Sequence, residues 1–192
     1  ALPALLFRPA KPNGRYVLFL HDAGKQVAAE EDSPINQAVR KGAIVLAVDV
    51  RGSGETGPKP GGIWGGAWND IFVAYLLGKS MLGMRTEDTL VAARYLRSIA
   101  DKSASMELIA YGSLGPGALH AAALEGDLFQ SVTLIGSRRS WLDVVASDSP
   151  RGELVNCVHG ALELYDLTDL AASLPEGSVT FSNERKVHSN KR

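Results

Sequence analysis

Cysteine is nearly absent from this sequence: Cys157 stands alone in 192 residues. A single thiol closes no intramolecular disulfide and completes no Cys-rich zinc site. An excess of one charge is absent too. Lys and Arg number 20 against 21 Asp and Glu, for a net charge of -1, and no basic block stands out. That balance argues against a nucleic-acid partner. Long apolar runs are missing: the stretches at 16–20 and 43–50 fall far short of the ~18 residues of a membrane span, so no membrane role is expected. The opening Ala-Leu-Pro-Ala-Leu-Leu-Phe has no basic segment before it and does not read as a signal peptide. The first residue is Ala1 rather than Met, so an engineered start, a mature form or a fragment is expected, and no compartment is legible.

What is present suits one ordinary folded domain. Apolar residues make up 45% and charged residues 21%, which argues against intrinsic disorder. At roughly 150 residues per domain, the length predicts one domain over residues 1–183. A polar tail follows at 184–192, with Arg185, Lys186, Lys191 and Arg192.

Short apolar runs alternate with helical patterns. Tyr16-Val-Leu-Phe-Leu-His21, Ala43-Ile-Val-Leu-Ala-Val-Asp-Val50, Glu107-Leu-Ile-Ala-Tyr111, Ser131-Val-Thr-Leu-Ile135 and Ser178-Val-Thr-Phe181 read as strands. Their continuous apolarity predicts strands covered on both faces. Helices are expected at 33–41, 86–99, 116–124 and 167–174. Thr86 is the expected cap of the second, and Asp166 or Thr168 of the last. The fold class is therefore α/β: a mostly parallel sheet with helices on both faces and right-handed crossovers. Residues 51–66 carry seven glycines and two prolines and read as a long loop after the second strand.

In such a sheet, ligands gather at the carboxyl ends of the strands. There the sequence places His21-Asp-Ala-Gly-Lys25, Asp49-Val-Arg-Gly-Ser-Gly54, Gly112-Ser-Leu-Gly-Pro-Gly117 and Gly136-Ser-Arg-Arg-Ser-Trp141. The third is a Gly-rich strand-to-helix turn, and Ser113 is its only hydroxyl. Such a turn presents a nucleophile at a helix N-terminus, where free N–H groups stabilise an oxyanion. Gly115 fits Gly-x-Ser-x-Gly; Tyr111 replaces the other glycine and should crowd the turn.

These segments, in this order, resemble the α/β-hydrolase fold, and within it the acetyl xylan esterase and dienelactone hydrolase-like group. Leu76-Leu-Gly-Lys-Ser-Met-Leu-Gly-Met-Arg-Thr-Glu-Asp88 and Gly160-Ala-Leu-Glu-Leu-Tyr-Asp-Leu-Thr-Asp-Leu170 carry the likeness further, from about Leu5 to Asn183. The resemblance implies a hydrolase of carboxylic esters acting through a serine and an acyl-enzyme, with an acylated carbohydrate or small-molecule ester as substrate. It implies no metal or organic cofactor. Aligned through Ser-x-Gly, Ser113 takes the nucleophile position; aligned through the helix Ala118-Leu-His-Ala-Ala-Ala-Leu124, Gly112 takes it. The resemblance implies a last strand and a histidine-bearing loop after it; with few residues after Phe181, both are expected to be missing here.

The histidine for the base is therefore open between His188, in the tail, and His159; His120 reads as a helix-packing residue. Asp49, Asp143, Asp166 and Asp169 are acid candidates, the last two reading better as cap and first-turn residues. By the same resemblance His21, Ala23, Gly112 and Leu114 are expected around the oxyanion position, and Trp64, Trp68 and Trp141 could offer faces for a sugar. Lys25 and Arg51 could orient an anionic group. The alternative is a catalytically inactive binding domain on the same scaffold. A missing strand would leave a sheet edge able to pair with a second chain and form an oligomer.

Overall fold

The computed structural model describes residues 1–31, 33–57, 67–101, 103–148 and 152–183. Six strands form one sheet: β1 (Ala4–Phe7), β2 (Arg15–Leu20), β3 (Ile44–Val48), β4 (Ser105–Tyr111), β5 (Ser131–Ile135) and β6 (Val179–Ser182). Their order across the sheet is β1-β3-β2-β4-β5-β6. Five run parallel, and β1 is antiparallel to β3. The helices are α1 (Pro34–Arg40), α2 (Ala67–Leu76), α3 (Met81–Ser98), α4 (Gly115–Leu124), α5 (Trp141–Val145) and α6 (Leu167–Ala172).

All five strands expected from the sequence are present. β1 was not expected; four residues are too short to show a period, and their pairing with β3 defines them as a strand. α2 was not expected either. α3 begins earlier than predicted, at a cap formed by Ser80, whose hydroxyl accepts the Gly83 N–H. Thr86 is not a cap: it lies buried inside α3, and its hydroxyl donates to the carbonyls of Leu82 and Gly117.

The two sheet faces are covered unequally. On one face α3 and α4 pack over Leu18, Leu20, Leu46, Leu108 and Leu134. On the other, α1 covers β2 and β3 through Ile35 against Val17 and Val45. The residues of β4 and β5 on that face, Glu107, Ile109, Thr133 and Ile135, stay half-buried. Burial on both faces therefore holds for β2 and β3 but not for β4 and β5. Arg15 bonds Glu107 across this half-open face. β6 closes the sheet and pairs only with β5 among the described residues.

Asp166 joins the late segments. It caps α6 and, with Asp169, completes a capping box. Its carboxylate also accepts from the Ser140 hydroxyl and the Trp141 N–H, so one buried side chain ties the start of α5 to the start of α6. Burial pushes its pKa up, but the bonds from Ser140, Trp141, Leu167 and Leu142 outweigh that and hold it below the ordinary carboxylate value. A depressed folded-state pKa stabilises above the unfolded value of about 4 and is lost as pH falls through the folded one. Asp166→Ala should cost about 3 kcal/mol in urea unfolding at pH 7, by losing a cap and stranding buried donors. The gap between wild type and variant should shrink below about pH 4.

Candidate active site

β2, β4 and β5 deliver their loops to one side of the sheet. β4 ends at Tyr111, and Gly112 follows with φ +56°, a left-handed conformation. Ser113 and Leu114 form a short turn that leads into α4. The Asp22 carboxylate, from the loop after β2, meets this turn at two points: Oδ2 accepts the Ser113 N–H at 3.0 Å, and Oδ1 accepts the Ser113 hydroxyl at 3.2 Å. A Cβ on Gly112 would lie 1.9 Å from Asp22 Oδ2. Gly112 thus has two reasons to lack a side chain: its backbone angle and its neighbour.

A cleft of about 440 Å³ opens beside this contact. Asp22, Ser113, Ser137, Arg138, Glu153 and Asn156 contribute to its wall. Arg138 Nε bonds Glu153 at 2.6 Å across it. Asn156 is buried, and its Oδ1 has no hydrogen-bond partner.

A second polar group underpins the loop that carries Asp22. Asp49, at the end of β3, is 1% exposed and accepts from the Lys25 N–H, Lys25 Nζ and the Glu55 N–H. Lys25 is buried as well, and its ammonium also reaches Glu55. Those bonds, to Asp49 first, hold the Lys25 pKa above its ordinary value. Burial raises that of Asp49, but the donors from Glu55 and Lys25 win and the net shift is downward. Arg51 pairs with Asp88. Arg85, also buried, donates to the carbonyls of Arg51 and Gly52, and burial lowers its pKa to about 10. Lys25 is therefore committed to the buried Asp49, and Arg51, though partly exposed, to the buried Asp88.

The residues singled out by sequence are distributed as follows. Ser113 and Gly112 lie at the cleft, and Leu114 follows them with its side chain in the core. His21 is half-buried; its ring packs on Tyr111 with centroids 4.6 Å apart, and its Nδ1 accepts the Ala23 N–H at 3.0 Å. Ala23 thus has its N–H committed to His21. Tyr111 packs on His21 and Phe19, away from the turn, so the expected crowding does not arise. His159 is exposed in a turn ahead of α6 and makes no bond to Ser113. His120 lies inside α4 and bonds the Pro116 carbonyl and the Tyr165 hydroxyl, a packing role as expected; burial lowers its pKa despite the Pro116 bond. Trp141 is not a sugar platform: it is 8% exposed and packs on His120 and Tyr165. Trp64 and His188 lie outside the described residues.

Of the acid candidates, Asp49 belongs to the Lys25 pair, Asp143 to the first turn of α5, and Asp166 and Asp169 to the α6 cap. Asp22 was not singled out. The signal available was its place directly after the first strand, beside the expected oxyanion position. Asn156 carried no signal at all. Among the described residues no cluster of His, Cys, Asp and Glu could hold a metal, and no helix is long and apolar enough to cross a membrane.

No protein-family model matches this chain, and neither does any curated protein sequence. Solved structures do match. A candidate acetyl xylan esterase from Bacteroides fragilis aligns over 93% of this chain and 54% of its own, with TM-score 0.68 at 13% identity. The chain has the α/β-hydrolase fold. A thermostable carboxyl esterase from Bacillus coagulans, solved with glycerol, aligns over 76% of this chain and 43% of its own, with TM-score 0.54 at 19% identity. The chain thus spans about half the length of these two α/β-hydrolase-fold structures.

Two stability predictions follow from the geometry. Lys25→Met leaves Asp49 buried without a cation and should cost about 3–5 kcal/mol, read by chemical unfolding. Gly112→Ala should destabilise through both the left-handed backbone and the Asp22 contact. In an Asp22→Gly background the same change should cost less, so the double variant should be more stable than the summed single effects. Additivity would show that the contact does not constrain position 112.

Proposed function

We propose that this chain hydrolyses carboxylic esters in the cleft beside α4, with Ser113 as the nucleophile. The observation that carries this reading is the Ser113 hydroxyl, held at the cleft by a hydrogen bond to Asp22. Ser113 Oγ attacks the ester carbonyl carbon, and its proton passes to Asp22 Oδ1. N–H groups at the head of α4, Leu114's first, face the developing oxyanion. Asp22 returns that proton to the departing oxygen, so the alcohol leaves; water, giving a proton to Asp22 Oδ1, then attacks the acyl-serine, and the proton goes back to Ser113 Oγ as the acid is released. A carboxylate is a weaker match than imidazole for this proton near neutral pH, so turnover is expected to be slow unless His188 or His159 supplies the base. The likeness in fold to a candidate acetyl xylan esterase and to a carboxyl esterase supports an ester substrate, with an acylated carbohydrate as the first class to try.

One observation favours a second reading. The left-handed position of the turn, where an elbow presents its nucleophile, belongs to Gly112, which has no side chain. On that reading the domain binds a ligand in the cleft without cleaving it, and the edge of β6 offers a strand for association with a second chain.

Hydrolysis of p-nitrophenyl acetate and labelling by a fluorophosphonate separate the two. The first reading expects an adduct on Ser113 in the intact protein, and loss of both labelling and hydrolysis, by at least a hundredfold, in Ser113→Ala. Hydrolysis that persists in Ser113→Ala rules out this nucleophile. A folded protein with neither activity leaves the binding reading.

A further inference from the structure

The cleft beside α4 is walled by polar side chains and glycines. Asp22, Ser113, Ser137, Arg138, Glu153 and Asn156 line it, with no aliphatic or aromatic side chain among the described residues of that wall. Trp68 stacks on Phe72 in α2 and is not part of it. An alkyl chain finds nothing apolar to cover it there, whereas a hydroxyl-bearing group finds donors and acceptors.

Asn156 is the residue of this wall that the rest of the structure does not use. It ends the short turn Leu154–Asn156, which packs against α2 and α3. It is 3% exposed, and its Oδ1 has no hydrogen-bond partner. Buried polar oxygens nearly always have a partner, because leaving water without one costs free energy. Neighbouring donors in the wall are directed elsewhere: Arg138 Nε to Glu153, the Ser113 hydroxyl to Asp22, and the Ser137 hydroxyl to the Arg138 carbonyl. A donor carried by a ligand would remove the cost, and a hydrogen bond made in a buried place is stronger than one in water.

We infer that Asn156 is a specificity-determining residue of the cleft, whose Oδ1 accepts a hydrogen bond from a hydroxyl of a polyol. Under the ester reading that polyol is the alcohol half of the substrate; only this assignment rests on the ester reading, and polyol binding stands without it. A site that bonds a ligand hydroxyl rejects the analogue lacking it far more sharply than an apolar pocket separates chain lengths.

The experiment titrates ¹⁵N-labelled protein with erythritol and with 1-butanol, which share a four-carbon chain and differ in hydroxyls. The expected result is a saturable shift of the Asn156 side-chain amide resonances with erythritol and none with 1-butanol. In Asn156→Leu, erythritol should bind at least tenfold more weakly, read at the Glu153 and Ser137 amides. No saturable shift in wild type, or a loss smaller than tenfold in a folded Asn156→Leu, overturns the inference. If Asn156→Leu does not fold, the wild type decides alone, and a side-chain amide moved equally by both alcohols overturns it. Glycerol monoacetate and propyl acetate then test the substrate, since they share the acyl group. Wild type should favour the monoacetate at least tenfold in kcat/KM, and in Asn156→Leu that ratio should fall to within twofold of one. A ratio near one in a wild type that cleaves both esters overturns the specificity role. Erythritol binding that depends on Asn156, with neither ester cleaved, retains this site and discards the ester reading. Cleavage through Ser113 without any erythritol shift does the reverse.

Discussion

The arrangement at the carboxyl end of the sheet depends on one buried carboxylate, Asp49. It gathers the loop after β2 and the loop after β3 through three donors, and it is itself neutralised by a buried lysine. Taking two charges out of water is expensive, and the cost is offset only because nearly every polar atom in the pair finds a partner. With residue 25 fixed in this way, Asp22 is only three residues from an anchored point. That short tether is why the Asp22 carboxylate can meet both polar groups of Ser113 at once.

The site is therefore assembled from the sheet outward. β3, and β2 from Tyr16 to Leu20, are buried and supply a rigid floor. β4 delivers a left-handed glycine and a serine to the start of α4, and α3 packs on that helix, with the Thr86 hydroxyl bonded to the Gly117 carbonyl and the Arg85 guanidinium directed at the loop after β3. Three ion pairs stand at this end: Lys25 with Asp49, Arg51 with Asp88, and Arg138 with Glu153. Arg85 Nη1 and Asn156 Oδ1 are the buried side-chain atoms left without partners among the described residues, and Asn156 lies in the wall of the cleft.

The sheet was legible because its strands are uninterrupted apolar runs between turn residues, and each such run became a strand. β1 was not, because four residues become a strand only through their pairing with β3. α2 was hidden behind a glycine-rich loop that drew attention to itself. The start of α3 was misplaced because Gly83 masks the first turn, while Thr86 has the composition of a cap but a buried environment. At the site, Ser113 and Gly112 could be named from the turn, but their relative roles depend on a backbone angle that sequence does not display. Asp22 escaped because its importance comes from a contact between residues ninety-one positions apart. Trp141 misled because an aromatic face looks the same in sequence whether it meets a sugar or Tyr165.

Gly24 and Gly54 also approach each other closely around Asp49. A Cβ at residue 24 would fall 2.7 Å from the Gly54 Cα, and one at residue 54 would overlap the Asp49 carboxylate itself. The two loops thus mesh like teeth, with no slack for either to slide past the other. Movement of the Asp22 carboxylate must therefore come from rotation of that side chain or its own peptide, because the loop beneath it cannot retreat without dragging the neighbouring loop along. Strain applied at Asp22 would be passed to the loop after β3 through the close approach of Gly24 and Gly54.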